Sequence, residues 1–226
     1  MNLLDQIYNN LIKGGAWLTI LNGLWATVKI SGLSLVIGTV FAALVCAMRM
    51  SKMKPVRFIA LAYIAVLRGS PVLMLLMLMY YVVFARSPLD AVYVAVVAFA
   101  LNIAAHIAEL MRSALMATDK GQVEAARTLG FSSIAAFRLI TLPQAAQIAK
   151  PVYQSTIVNL IQWTSVVGYV TITDLTRVIN NISSRTMQPL FMIVAGMLIY
   201  LALAYIVFGL FALSDRRGKK TGVEKA

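Results

Sequence analysis

An all-α, polytopic membrane protein with five transmembrane helices, N-terminus outside and C-terminus in the cytoplasm, is the fold class this sequence predicts. Three observations carry that prediction. Of 226 residues, 61% are hydrophobic and 12% charged, where a soluble domain carries about 25% charged residues. Five stretches reach the roughly 20 mostly apolar residues that a spanning helix needs: about 24–48, 58–84, 91–115, 151–172 and 190–213. The 20 Lys and Arg residues gather at alternate ends of those stretches, against 8 acids in the whole chain. A net charge of +12 would point to nucleic acid in a soluble chain. Between apolar runs it sets topology instead, so the expected partner is the lipid bilayer and not nucleic acid.

The elements follow in order, read as one transmembrane domain over the whole chain. Met1–Asn10 lacks the basic region and cleavage site of a signal peptide and reads as part of the mature protein. Leu3–Ile20 mixes apolar residues with Asp5, Lys13 and Trp17 and is expected to lie along the outer interface. The first span carries Ser34, Gly38 and Ala42 at four-residue spacing, and the third carries Ala100, Ala104 and Ala108. Such stripes either let helix backbones approach closely in lipid or reflect how common alanine is there. The second span is interrupted by Arg68-Gly69-Ser70-Pro71, which predicts a kink. Cys46 is the one cysteine, so no intrachain disulfide forms.

Orientation rests on the cations. Arg49, Lys52, Lys54 and Arg57 follow the first span, and Lys120, Arg127, Arg138 and Lys150 follow the third. Arg216, Arg217, Lys219, Lys220 and Lys225 follow the fifth. The opposite ends hold only Lys13, Lys29, Arg86, Arg177 and Arg185, which places the richer ends in the cytoplasm. No internal repeat marks a carrier built from two inverted halves.

Residues 118–143, between the third and fourth spans, form a polar and basic island. Thr118-Asp119 followed by Gln122 resembles an N-cap with a capping box. A helix is predicted from Lys120 to Leu129, stopping at Gly130 in a left-handed conformation. Ser132 or Ser133 would cap a second helix, ended by Pro143. Val123, Ala126 and Leu129 are expected to share a face, while Ala125-Ala126 offers a flat surface suited to insertion into a cleft. On this evidence the segment is either a docking surface or a well-capped loop.

Glu124-Ala125-Ala126, Gly130, Ile140 and Leu142-Pro143 match the signature loop of ABC importer permeases, seven positions over 20 residues without a gap. Leu67-Arg68-Gly69-Ser70-Pro71, Lys120-Gly121-Gln122, Pro143-Gln144-Ala145 and Thr164-Ser165 resemble motifs of the polar amino acid permease subfamily. The resemblance runs from about Leu24 to Leu213. It implies a permease subunit in a bacterial cytoplasmic (inner) membrane, paired with a second permease chain, identical or related. It further implies that Glu124, Ala125, Ala126, Gly130 and Pro143 couple this chain to separate ATP-binding subunits. An extracytoplasmic solute-binding protein would deliver the cargo, a polar amino acid or an analogue such as an opine. No Walker-type phosphate loop occurs in the sequence, so ATP and Mg are expected on the partner, with no cofactor and no catalysis in this chain. An ATP-independent channel or carrier is the contrasting reading.

Polar groups at bilayer depth are costly and mark candidate sites. Arg68 suits a bidentate grip on a carboxylate, or alternatively an interhelical pair with Glu109. Glu109 and Arg112, three residues apart, read as a local ion pair, with a gating role as the second option. His106 is the only histidine and makes no metal site; Asn102, one turn away, could line a pathway. In the fourth span Ser155, Asn159 and Gln162 fall near one face, with Thr164 and Ser165 beyond them. These polar groups either line a substrate pathway or bond helix to helix. Where relatives commonly carry Lys-Asp before the Thr-Ser pair, this sequence has Gln162-Trp163, which weakens the case for a basic cargo. Thr173–Gln188 reads as a solvated outer loop, which in the resemblance would meet the solute-binding protein.

Overall fold

The computed structural model describes residues 7–223, with side chains to residue 213 apart from Asn9, Asn10 and Gly14. The reading of the extreme N-terminus and the side chains of the C-terminal cations from Arg216 to Lys225 lie outside the described residues. Within them every regular element is helical. A π-turn at Tyr8–Ile12 and a 3₁₀ turn at Lys13–Gly15 precede α1 (Ala16–Arg49); α2 (Lys54–Gly69) and α3 (Val72–Leu78) follow. After α3 comes a π-turn at Met79–Val83, then α4 (Ala91–Met116), α5 (Lys120–Thr128) and α6 (Ser133–Ala136). A π-turn at Phe137–Thr141 leads into α7 (Leu142–Trp163), and a 3₁₀ turn at Thr164–Val170 leads on to α8 (Leu175–Thr186) and α9 (Pro189–Val223).

Three helices are long and apolar enough to cross a membrane, Ala16–Arg49, Ala91–Met116 and Pro189–Leu213. A fourth is reached if α2 and the Val72–Val83 piece count as one broken span. Of their most apolar windows, 67% is buried for α4 and 11% for α9, so α4 is a packing centre and α9 presents its side chains outward. The expected interfacial segment is corrected at its end: Ala16–Ile20 belong to α1, because nothing helix-breaking separates them from the span.

The chain folds as two compact units. In the first (residues 7–35, 72–99 and 157–223), Ala16, Leu175, Val178, Ile179, Ile182 and Met192 form an apolar core. The expected outer loop is therefore corrected to a packed helix. Leu175, Val178, Ile179 and Ile182 recur at helical spacing and are buried, while Asp174 caps the helix by accepting from the N–H groups of Thr176 and Arg177. Ser34 is buried and donates to the Val96 carbonyl at 3.1 Å.

In the second unit (residues 36–71 and 100–156), Gly38, Ala42, Ala100, Ala104 and Ala108 are all buried. A Cβ on Gly38 would overlap Ile103 Cγ2 and lie 2.9 Å from the Ala100 carbonyl oxygen. The small-residue stripe is thus a close-approach seam. Phe41 and Tyr63 stack edge to face at 5.7 Å, and the Thr39 and Tyr153 hydroxyls bond at 2.9 Å. The predicted interruption of the second span is a break: Ser70 is extended (φ −100°, ψ 140°) and Pro71 has no N–H to offer Leu67. Asn102 Nδ2 donates to the Leu67 carbonyl at 2.8 Å, and Ser70 Oγ to the Val66 carbonyl at 2.7 Å. Asn102→Leu should therefore leave a part-buried carbonyl unpaired and cost about 1 kcal/mol. Thermal unfolding in detergent checks this, and an unchanged midpoint would contradict it.

Pro143 does not end a helix. The backbone stays helical from Phe137 through Leu142, so the proline stands inside a continuous helix at the head of α7. The π-turn at Phe137–Thr141 widens the backbone where the proline ring would otherwise meet the residue four before it. The fourth expected span is likewise corrected at both ends, running as α-helix from Leu142 to Trp163 and giving way to the 3₁₀ turn.

Candidate functional site: a capped helix and two cavities

The island of residues 118–143 lies wholly within the second unit. The helix starts at Lys120 as predicted, and Asp119 is its N-cap, with Oδ1 accepting from the Gly121 N–H at 2.9 Å. The expected capping box is replaced. Gln144 Oε1, from α7, accepts from the Asp119 N–H at 3.3 Å, and Gln144 Nε2 donates to Gln122 Oε1 at 2.6 Å. The helix ends in a Schellman pair: Phe131 N–H to the Ala126 carbonyl and Gly130 N–H to the Arg127 carbonyl, each 3.1 Å, with Gly130 at φ +88°. Ser132 Oγ accepts from the Ala135 N–H at 3.1 Å and caps α6.

Glu124 and Ala125 are exposed and Ala126 is buried. Leu129 does not share the face of Ala126: it is 79% exposed, because as C-cap (φ −77°, ψ 5°) it has left the helical path. Around α5, Leu129, Phe131, Ile134 and Leu139 stand between 40% and 79% exposed. A nine-residue helix, capped at both ends and rimmed by uncovered apolar side chains, has the form of an insertable element.

The membrane-facing candidates divide between the units. In the second, Arg68 is exposed in the last turn of α2, and Glu109 pairs not with it but with Arg112, whose Nε donates to Glu109 Oε1 at 2.9 Å. Asn102, expected on a pathway wall, is instead 2% exposed and supports the break beside Arg68. His106 is half-buried within α4. In the first unit, Asn159 and Gln162 are exposed along one face of α7, a face that Ser155 begins one turn earlier. Thr164 is corrected to a buried turn residue, its hydroxyl donating to the Ile161 carbonyl at 2.7 Å.

Gln162 lines a cavity of about 390 Å³ together with Thr176, Asn180, Met197 and Tyr200. Ser165 lines a second, of about 440 Å³, with Asp174 and Arg177, and Thr176 and Asn180 belong to both. Burial pushes the Asp174 carboxyl above the ordinary carboxylate range, and the N–H groups of Arg177 and Thr176 pull it back. The polar residues of α8 that line these cavities were not singled out from the sequence as pathway groups, although their spacing on an amphipathic helix carried the signal. Among the described residues no cluster of His, Cys, Asp and Glu could hold a metal ion.

Residues 35–220 match the family model described as the binding-protein-dependent transport system inner membrane component. The chain belongs to that family. This permease is 32% identical over 218 residues to the octopine transport system permease protein OccM of Rhizobium meliloti, covering 92% of this chain and 89% of that one. It is 29% identical over 198 residues to the L-cystine transport system permease protein TcyB of Bacillus subtilis, covering 87% and 82%. A chain from the crystal structure of an amino acid ABC transporter with histidines superposes with a TM-score of 0.82 at 29% identity, covering 96% of this chain and 99% of that one. The permease is accordingly the membrane-spanning subunit of an ATP-driven importer, a multi-pass inner-membrane transport component and not an enzyme. Family membership implies ATP-binding subunits and a solute-binding protein as its partners.

Proposed function

We propose that the whole chain acts as one permease domain that carries a polar amino acid, crossing the membrane five times with its N-terminus outside and C-terminus in the cytoplasm. One observation carries the mechanism: α5, capped at both ends, presents Glu124 and Ala125 outward within an uncovered apolar rim. In this reading α5 seats in a groove of a cytoplasmic ATP-binding subunit, with Gly130 setting the end of the helix and Pro143 the start of α7. ATP and Mg are bound by that partner, and closure of two such subunits moves a pair of permease chains. Arg68, Asn159, Gln162 and Ser165 are the candidate cargo contacts, with Thr164 shaping the turn beside them and the Glu109–Arg112 pair close to the cytoplasmic end. An opine-like cargo is the second reading, favoured by the similarity to the octopine permease.

Reconstitution tests the proposal. The permease, its ATP-binding subunits and the solute-binding protein are placed in proteoliposomes and supplied with a radiolabelled mixture of the protein amino acids. Uptake should require ATP on the cytoplasmic side and persist when ion gradients are collapsed. Uptake driven by an ion gradient without ATP would overturn it.

A further inference from the structure

We propose that Gln144 is a positioning residue that ties α5 directly to α7, so that displacement of the docking helix reaches α7 without passing through the chain between them. One side chain makes both bonds of the tie. Its Oε1 takes the Asp119 N–H, a helix-start donor with no partner inside α5, and its Nε2 holds Gln122 Oε1 on the first turn. The covalent route from Gln122 to Gln144 runs through 22 residues and two changes of backbone course. At Gly130 the chain turns through the left-handed region with no atom within 4 Å of a would-be Cβ. At Phe137–Thr141 the helix carries a π-turn, a wider coil than the α-helix on either side. A push on α5 transmitted only along that route has to pass both turns.

The amide tie bypasses both. α7 is itself held within the second unit by the Tyr153–Thr39 hydroxyl contact, two and a half turns beyond Gln144, and further along the same helix stand Asn159 and Gln162. Gln144 therefore connects the element that meets the energy source to the element that carries cargo candidates. Its place in the sequence, one residue after Pro143, puts it in the first turn of α7, where its side chain reaches back over the start of α5.

This inference rests on the docking role proposed for α5, and the experiment separates the two. Permease complexes with their ATP-binding subunits and solute-binding protein are reconstituted with the same radiolabelled amino-acid mixture, and uptake and ATP hydrolysis are measured together. Gln144→Leu should keep the ATP-binding subunit on the permease and keep basal hydrolysis. Cargo moved per ATP should fall about tenfold, the equivalent of two exposed hydrogen bonds. Gln144→Glu should restore the ratio, because a carboxylate still accepts from the Asp119 N–H and Gln122 can turn its amide to donate. A wild-type ratio in Gln144→Leu, no rescue by Gln144→Glu, or release of the ATP-binding subunit from the Gln144→Leu complex each overturns the tie. Gly130→Val, run alongside, tests the docking role: a retained ATP-binding subunit with wild-type uptake removes the docking reading itself.

Discussion

Gly130→Val abolishes uptake and leaves membrane insertion intact. Gly130 sits at φ +88°, where a β-branched residue is strained by about 1–3 kcal/mol. Space is not the obstacle, since nothing lies within 4 Å of the position a Cβ would take; the backbone alone resists. α5 has nine residues, and helices shorter than about 12 residues are marginal without their caps. Losing the Schellman pair therefore frays α5 and re-aims Phe131 and Ser132, while the spanning helices are untouched. Co-purification of the ATP-binding subunit and uptake in proteoliposomes should fall together. Gly130→Asn, which tolerates the left-handed region, should retain much of both. Wild-type uptake by the valine variant would end the assignment of α5.

Gly38→Val acts on the fold. The added side chain would press on Ile103 Cγ2 and on the Ala100 carbonyl oxygen. A side-chain tip can rotate away, but the carbonyl belongs to the backbone of α4 and moves only with the helix. Overpacking of this kind costs about 3 kcal/mol or more when backbone must shift. The expected result is low accumulation in the membrane and a clearly lowered unfolding midpoint. Gly32→Val on the same helix is the control, because nothing lies within 4 Å of its Cβ position. Equal behaviour of the two variants would mean that α1 and α4 do not rely on this seam.

What was legible follows the range of the interaction. The bounds of α4 were read to within one residue, because its apolar run is sharply ended by Asp90 on one side and Thr118-Asp119 on the other. The caps at Asp119, Gly130 and Ser132 were readable because each bonds within a few residues of itself. α8 was missed: Asp174, Arg177, Asn180, Asn181 and Arg185 made the segment look solvated, and its four buried apolar residues matter only against a core supplied by distant helices. Pro143 was read by residue type instead of position, and the π-turn that accommodates it has no sequence signature. The Gln144 bonds and the Asn102 support of Leu67 span 22 to 35 residues, so local pattern could not disclose them.

The break after α2 also changes the electrostatics of the residue beside it. A helix that stops at Gly69 ends in a negative pole of about half a charge, and Arg68 lies in that last turn. In the proposed five-span topology Arg68 would stand near mid-bilayer, where a cation on an unbroken helix costs about 2.5–3.5 kcal/mol. The pole returns about 0.3–2 kcal/mol of that. Ser70-Pro71 thus supplies part of a counter-ion out of peptide dipoles, beside a guanidinium that stays exposed.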